Sequence, residues 1–167
     1  MTSEQHSARP TNPKIHTLRE WQAEVHQRNR DKGFYDYERD IEVVEDYLRR
    51  VHAPVQTGIG LALSRILEDY RRAIIERKLL LVIGEICEAH EELRAGHAPN
   101  EVYYPTARIV NRPPGIVDKP EGVPIELADA QIRLLDVQAA CSNDSESAIA
   151  LKHEFNGTRE HKHGKEF

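Results

Sequence analysis

Four carboxylates stand out in this sequence because they come as two pairs, each with its members three residues apart: Glu85 with Glu88, and Glu126 with Asp129. At helical spacing, residues i and i+3 project from the same side about one turn apart. Two such helices facing each other would crowd four carboxylates around a small volume. Like charges that close do not all ionise without a cation between them. An all-oxygen ligand set with no His or Cys suits a hard divalent ion, Mg²⁺ or alternatively Mn²⁺. Such an ion grips phosphate oxygens and acidifies water, which is the chemistry of phosphoanhydride hydrolysis.

The helices that must carry these pairs are legible. Ile125–Ala140 places Glu126, Asp129, Arg133 and Asp136 within an arc of about 80°, at about 100° per residue. Apart from Gln131 and Gln138 the rest of that stretch is apolar, so the helix is expected to be mostly buried. Its acidic stripe is then either a thin solvent face or the wall of an internal polar site. The segment ending at Arg94 puts Glu85, Glu88 and Glu92 at i, i+3 and i+7, beside apolar Leu79, Val82, Ile83, Ile86, Ala89 and Leu93. An ExxE pair by itself is an ordinary solvated helix face; the order and the oily second helix give it weight. A third pattern, Lys152, Asn156 and Arg159 at i, i+4 and i+7, continues into Lys162 and Lys165 as a cationic strip able to clamp phosphates. Trp21 is a packing residue or a base-stacking surface. His161 and His163 read as solvated tail residues.

Around these segments the 167 residues suit one domain. Residues 1–13 read as a disordered leader, and 14–167 as a single helical domain. A first helix is predicted over Leu18–Lys32, with a Thr17/Glu20 capping box and Gly33 as its stop. A second covers Tyr37–His52, a loop runs from Ala53 to Gly60, and a long helical region, bent or in two pieces, from Leu61 to Arg94. Ala95–Pro124, dense in Pro and Gly, reads as a long loop with a short hairpin near Val102–Val110. Asn143 with Glu146 reads as the cap of a last helix, Asp144–Asn156. Aromatics make up 6%, so a core of Leu, Ile, Val and Ala is expected, and with it an all-α antiparallel bundle.

The net charge of −5 offers no basic surplus for a nucleic-acid backbone, and no apolar run is long enough to span a bilayer. Cys87 and Cys141 form no zinc spacing and read as reduced core fillers in a cytoplasmic protein.

The ordered set Glu85-Ile-Cys-Glu88 and Glu126-Leu-Ala-Asp129 resembles the ExxE…ExxD signature of the MazG-like all-α NTP pyrophosphohydrolases. The segments LLLVIGEICEAHEELRAG, KPEGVPIELADAQIRLLD, AIALKHEFNGTREHKHGKEF and EWQAEVHQRNRDKGFYD look like phage and bacterial members, over roughly two thirds of the chain. The resemblance implies a homodimer or homotetramer that cuts a nucleoside triphosphate to monophosphate and pyrophosphate with Mg²⁺. Glu85, Glu88, Glu126 and Asp129 match its metal positions, and Lys152 and Asn156, with Arg159, match positions near the substrate phosphates. Two departures stand out: a longer gap between the acidic motifs, and an apparent insertion at 37–64. A non-catalytic helical interaction protein is the rival reading. A di-iron carboxylate bundle would want Glu-x-x-His on paired helices, which neither acidic helix has.

Overall fold

The computed structural model describes residues 17–50, 58–105 and 118–159. Five helices account for most of them: α1 (Leu18–Asp31), α2 (Asp36–Arg50), α3 (Gly58–Arg94), α4 (Val123–Ala140) and α5 (Ser145–Gly157). The all-α expectation holds; among the described residues the extended pairing is one antiparallel bridge, Tyr103 to Glu121.

Local chemistry sets the boundaries. Thr17 and Glu20 form the expected reciprocal cap on α1. At the other end Gly33, at φ 81°, lets its own N–H reach Arg30 O and the N–H of Phe34 reach Asn29 O. That is a Schellman stop, which satisfies two orphan carbonyls. Gly96 closes α3 in the same way, and Ser142, at φ 55°, closes α4.

Three expectations are corrected here. The region before Arg94 is one unbroken helix of 37 residues starting at Gly58, inside the expected loop; at 1.5 Å per residue it is roughly 55 Å long. The cap of α5 is Asp144, whose carboxylate accepts from the Ser147 N–H, rather than Asn143. Asn143 instead offers its carbonyl to Gln22. Cys87 and Cys141 are exposed rather than core fillers. The predicted leader, the far side of the proposed hairpin and the His/Lys tail lie outside the described residues.

α4 is the central element. It runs antiparallel to α3, with Lys78 meeting Asp136 and Glu85 meeting Arg133. It is also antiparallel to α1, where Gln22 meets Asn143 and His26 meets Asp136. The buried apolar residues are Val25, Tyr35, Ile41, Ile74, Ala89, Val123, Ala130 and Val137, with no Leu among them. The mostly buried α4 expected from its sequence is half open, since Leu127, Ile132 and Leu134 each stay more than 40% exposed.

The segment between α3 and α4 is clipped together at its base. Tyr103 and Glu121 exchange both backbone hydrogen bonds, the Tyr103 hydroxyl donates to Glu92, and the His97 ring stacks on Tyr103 at 4.5 Å. Glu92 thus serves the clip rather than the acidic site. Gly122 sits against this clip at φ 114° and ψ 165°, a region essentially reserved for glycine, and an added Cβ would run into the Glu101 carbonyl oxygen. Gly122→Ala is therefore expected to cost about 1–3 kcal/mol, read as a lower thermal midpoint; an unchanged midpoint would mean that the clip is not formed.

Candidate metal centre

Glu85 on α3 and Glu126 and Asp129 on α4 each bring a carboxylate oxygen within 4.8 Å of the others. Glu85 is 7% exposed and Glu126 4%. On the α4 stripe Glu126 and Asp136 are buried, Asp129 is half-buried and Arg133 is exposed, so the stripe is partly walled in and partly open to solvent. Antiparallel packing makes this possible: one turn of α3 and the first two turns of α4 lie side by side. An all-oxygen trio at this spacing fits a hard divalent cation. Glu88, one turn along, is exposed and lies outside the trio.

The electrostatics are those of a crowded anionic site. Burial pushes the Glu126 carboxyl up, a hydrogen bond with Glu121 and the nearby Glu88 charge push it further, and Lys119 offsets part of this; the result is about 7. Arg133 donates from Nε to Glu85 Oε1. Lys119 pairs with Glu121 at 2.9 Å. Glu121 and Lys119 were not singled out by spacing, because they lie on the loop; the KPEG text preceding α4 was the signal available.

A group whose folded pKa is raised contributes stability below its unfolded value and loses it as pH rises through the folded one. With metal chelated, the chain is expected to lose stability between about pH 4.5 and pH 7 and to stay weaker above. Added Mg²⁺ should restore it at pH 8. Melting curves across pH, with chelator and with Mg²⁺, check this; a melting point that does not change over that range, or no Mg²⁺ effect, would contradict it.

Asp136, the last residue of the α4 stripe, belongs to a separate network. Its side chain is 7% exposed and accepts from Tyr35 at 2.8 Å and from Lys78 at 2.9 Å, with His26 Nδ1 at 3.2 Å. Burial alone would raise its pKa; hydrogen bonds from Lys78, Tyr35 and Asn29 overcome that and hold it below the usual carboxylate value. Burial and the facing Asp136 carboxylate push the Tyr35 hydroxyl well up, so it stays a donor. Asp136 lies ten residues beyond Glu126, about 15 Å along the helix.

The remaining site residues are not brought to the trio. Trp21 is 38% exposed. It neighbours Gln22 at the Asn143 end of α4, about 20 Å of helix from Glu126. Lys152 and Asn156 on α5, and Arg159 just beyond its end, are all exposed. Lys152 Nζ lies 4.9 Å from the Phe155 ring of its own helix. Compared with known protein families, with curated proteins and with solved structures, the chain matches none.

Proposed function

We propose that this chain is a Mg²⁺-dependent nucleoside triphosphate pyrophosphohydrolase of the MazG-like type, with Mn²⁺ as an alternative ion. The observation that carries the reading is the trio itself: two helices that the ExxE…ExxD order singled out converge, and three carboxylates meet, two of them buried. Glu85 already has Arg133, whereas Glu126 is buried beside Glu121 and Glu88 and its carboxyl is pushed up, which supports a site that a cation would complete.

Glu85, Glu126 and Asp129 would hold the ion, with Glu88 completing the set from the solvent side. Arg133 fixes the Glu85 carboxylate. When bound, the cation neutralises triphosphate oxygens and acidifies water. A carboxylate of the set takes the proton of the water that attacks the α-phosphorus. Lys152 and Arg159 offset charge on the β and γ phosphates, and Asn156 bonds phosphate or sugar. Trp21 is given no part in this scheme, given its distance.

The active form is proposed to be a homodimer or homotetramer. Eight apolar residues are buried among the described residues, against twenty-three large apolar ones left exposed. Exposure on that scale marks a surface that another chain covers. No helix of the described residues is long and apolar enough to cross a membrane, and a cytoplasmic location, with nucleotides rather than nucleic acid as substrate, completes the proposal.

A panel of canonical and modified nucleotides with Mg²⁺, assayed for pyrophosphate, tests it. Pyrophosphate and monophosphate in equal amounts from at least one nucleotide is the expected result. Release of orthophosphate instead, or no turnover with any nucleotide, favours the non-catalytic helical scaffold.

A further inference from the structure

The loop that leads into α4 carries a cation to the rim of the acidic centre. Pro120 biases the residue before it, Lys119, toward extended backbone, and Glu121 is extended where it pairs with Tyr103. Side chains two apart on extended backbone leave from the same side, so Lys119 and Glu121 meet: Nζ lies 2.9 Å from Oε1 and 3.1 Å from Oε2. The base of this pair is anchored. Glu121 exchanges both backbone hydrogen bonds with Tyr103, and Gly122 lies too close to the Glu101 carbonyl for any Cβ. The Glu121 side chain also hydrogen-bonds Glu126, a member of the trio. Lys119 is thus one carboxylate away from the trio.

Its hydrogen bond to Glu121 holds the Lys119 ammonium above its usual pKa; partial desolvation opposes this, and the charges of Glu121, Glu126 and Asp129 add to it. Lys119 and Arg133 differ in freedom. Arg133 is tied to Glu85, whose side chain is 9% exposed. Lys119 is 66% exposed and its partner Glu121 20%. An exposed pair of this kind contributes little stability, so Lys119 can exchange Glu121 for another anion at small cost. The centre calls for such an exchange. Glu85, Glu88, Glu121, Glu126 and Asp129 surround the place that a polyphosphate must approach, and a divalent ion offsets only part of their repulsion.

We infer that Lys119 is a substrate-binding residue: it leaves Glu121 to hold an anionic oxygen of a polyphosphate whose other oxygens are gripped by the cation at the trio of the same chain. This deepens the pyrophosphohydrolase reading and rests on it for the trio's cation. A lysine suits the task, being a compact point charge on a flexible stem. Glu121 is then a positioning residue, which keeps the ammonium at the rim while no phosphate is bound.

Inorganic tripolyphosphate, which carries the charge of the substrate without a nucleoside, is the probe. Its binding to the full-length protein at saturating Mg²⁺ is followed by calorimetry, and Mn²⁺ binding without phosphate by electron paramagnetic resonance. Lys119→Met should weaken tripolyphosphate binding about tenfold, the size of one charge-assisted hydrogen bond, while Mn²⁺ binds no more weakly than to the unmodified protein. Lys119→Arg keeps the charge and should stay within about threefold of the unmodified affinity. Lys119→Gln repeats the comparison if Lys119→Met misfolds. Unchanged tripolyphosphate affinity in the neutral variant overturns the inference, as does an equal loss in Lys119→Arg. A parallel loss of Mn²⁺ overturns it too, since Lys119 would then act by holding the trio in shape. So does an unmodified protein that binds no tripolyphosphate with Mg²⁺. If the unmodified protein binds tripolyphosphate but releases no pyrophosphate from any nucleotide, the functional reading fails while the binding comparison still decides the role of Lys119.

Discussion

Glu126→Gln is expected to lower kcat/KM for pyrophosphate release by about 10³-fold, or about 4 kcal/mol of transition-state stabilisation. Gln keeps the shape of the side chain and one acceptor oxygen but removes the charge that holds the cation. The same substitution should raise the stability of the metal-free chain at pH 8. Glu126 is 4% exposed and its carboxyl is pushed to about 7 by burial, by Glu121 and by Glu88, so the neutral amide is relieved of ionising there. Activity and stability moving in opposite directions is the signature of a site built for function at a cost to the fold. Kinetics and melting of the one variant decide it: a large loss of both would make Glu126 a structural residue, and unchanged turnover would remove the trio from catalysis.

Asp136→Ala is expected to cost about 3–5 kcal/mol, because it strands the Lys78 ammonium in a nearly closed site. Lys78 is 16% exposed, and among the described residues it keeps the face of Tyr35, 4.0 Å away, as a neighbour for its charge. For a chain of this size that is a fall of roughly 10 °C in melting midpoint. The network joins α1, the α1–α2 turn, α3 and α4, so its loss should loosen all four together. Its dependence on pH is opposite to that of Glu126. A carboxylate whose folded pKa is lowered contributes fully above its unfolded value, 3.8 for Asp136, and loses the contribution as pH falls through the lower folded value. The difference between parent and variant should therefore stay constant from pH 5 to 8 and shrink below pH 4. A midpoint within 2 °C of the parent, at roughly 2–4 °C per kcal/mol, would show that Asp136 does not hold these elements together.

Much of the architecture was legible because it rests on local chemistry. The Thr17/Glu20 cap and the Gly33 stop depend on neighbours within a few residues, and the structure has both. The stripe on α4 was equally local, a charge every three or four residues in an oily helix, although spacing left open whether it faced solvent or a polar site; Glu126 and Asp136 are buried and Arg133 is exposed. What spacing does not carry is which partner a stripe residue meets. Asp136 and Glu126 share one arc, yet Asp136 meets Lys78 and Tyr35 while Glu126 meets Glu121. That difference is set by how far along α4 each partner helix or loop crosses, a tertiary fact. The start of α3 at Gly58 overrode a glycine-based loop expectation, since helix capping and propensity compete with whatever the rest of the chain requires. Exposure of Leu127, Ile132 and Leu134 departs from the burial their apolar character suggested, because no other described element covers that side of α4. The Lys152–Arg159 strip was visible by its i, i+4, i+7 spacing, and its three residues stand exposed at the end of the described chain.

The most direct test of the central claim is anomalous diffraction from crystals of the full-length protein grown with Mn²⁺. A manganese peak bounded by the carboxylates of Glu85, Glu126 and Asp129, and lost in Glu126→Gln, is the result that this account predicts. Manganese found only elsewhere, or those three carboxylates held apart by protein hydrogen bonds with no cation among them at saturating Mn²⁺, would contradict it.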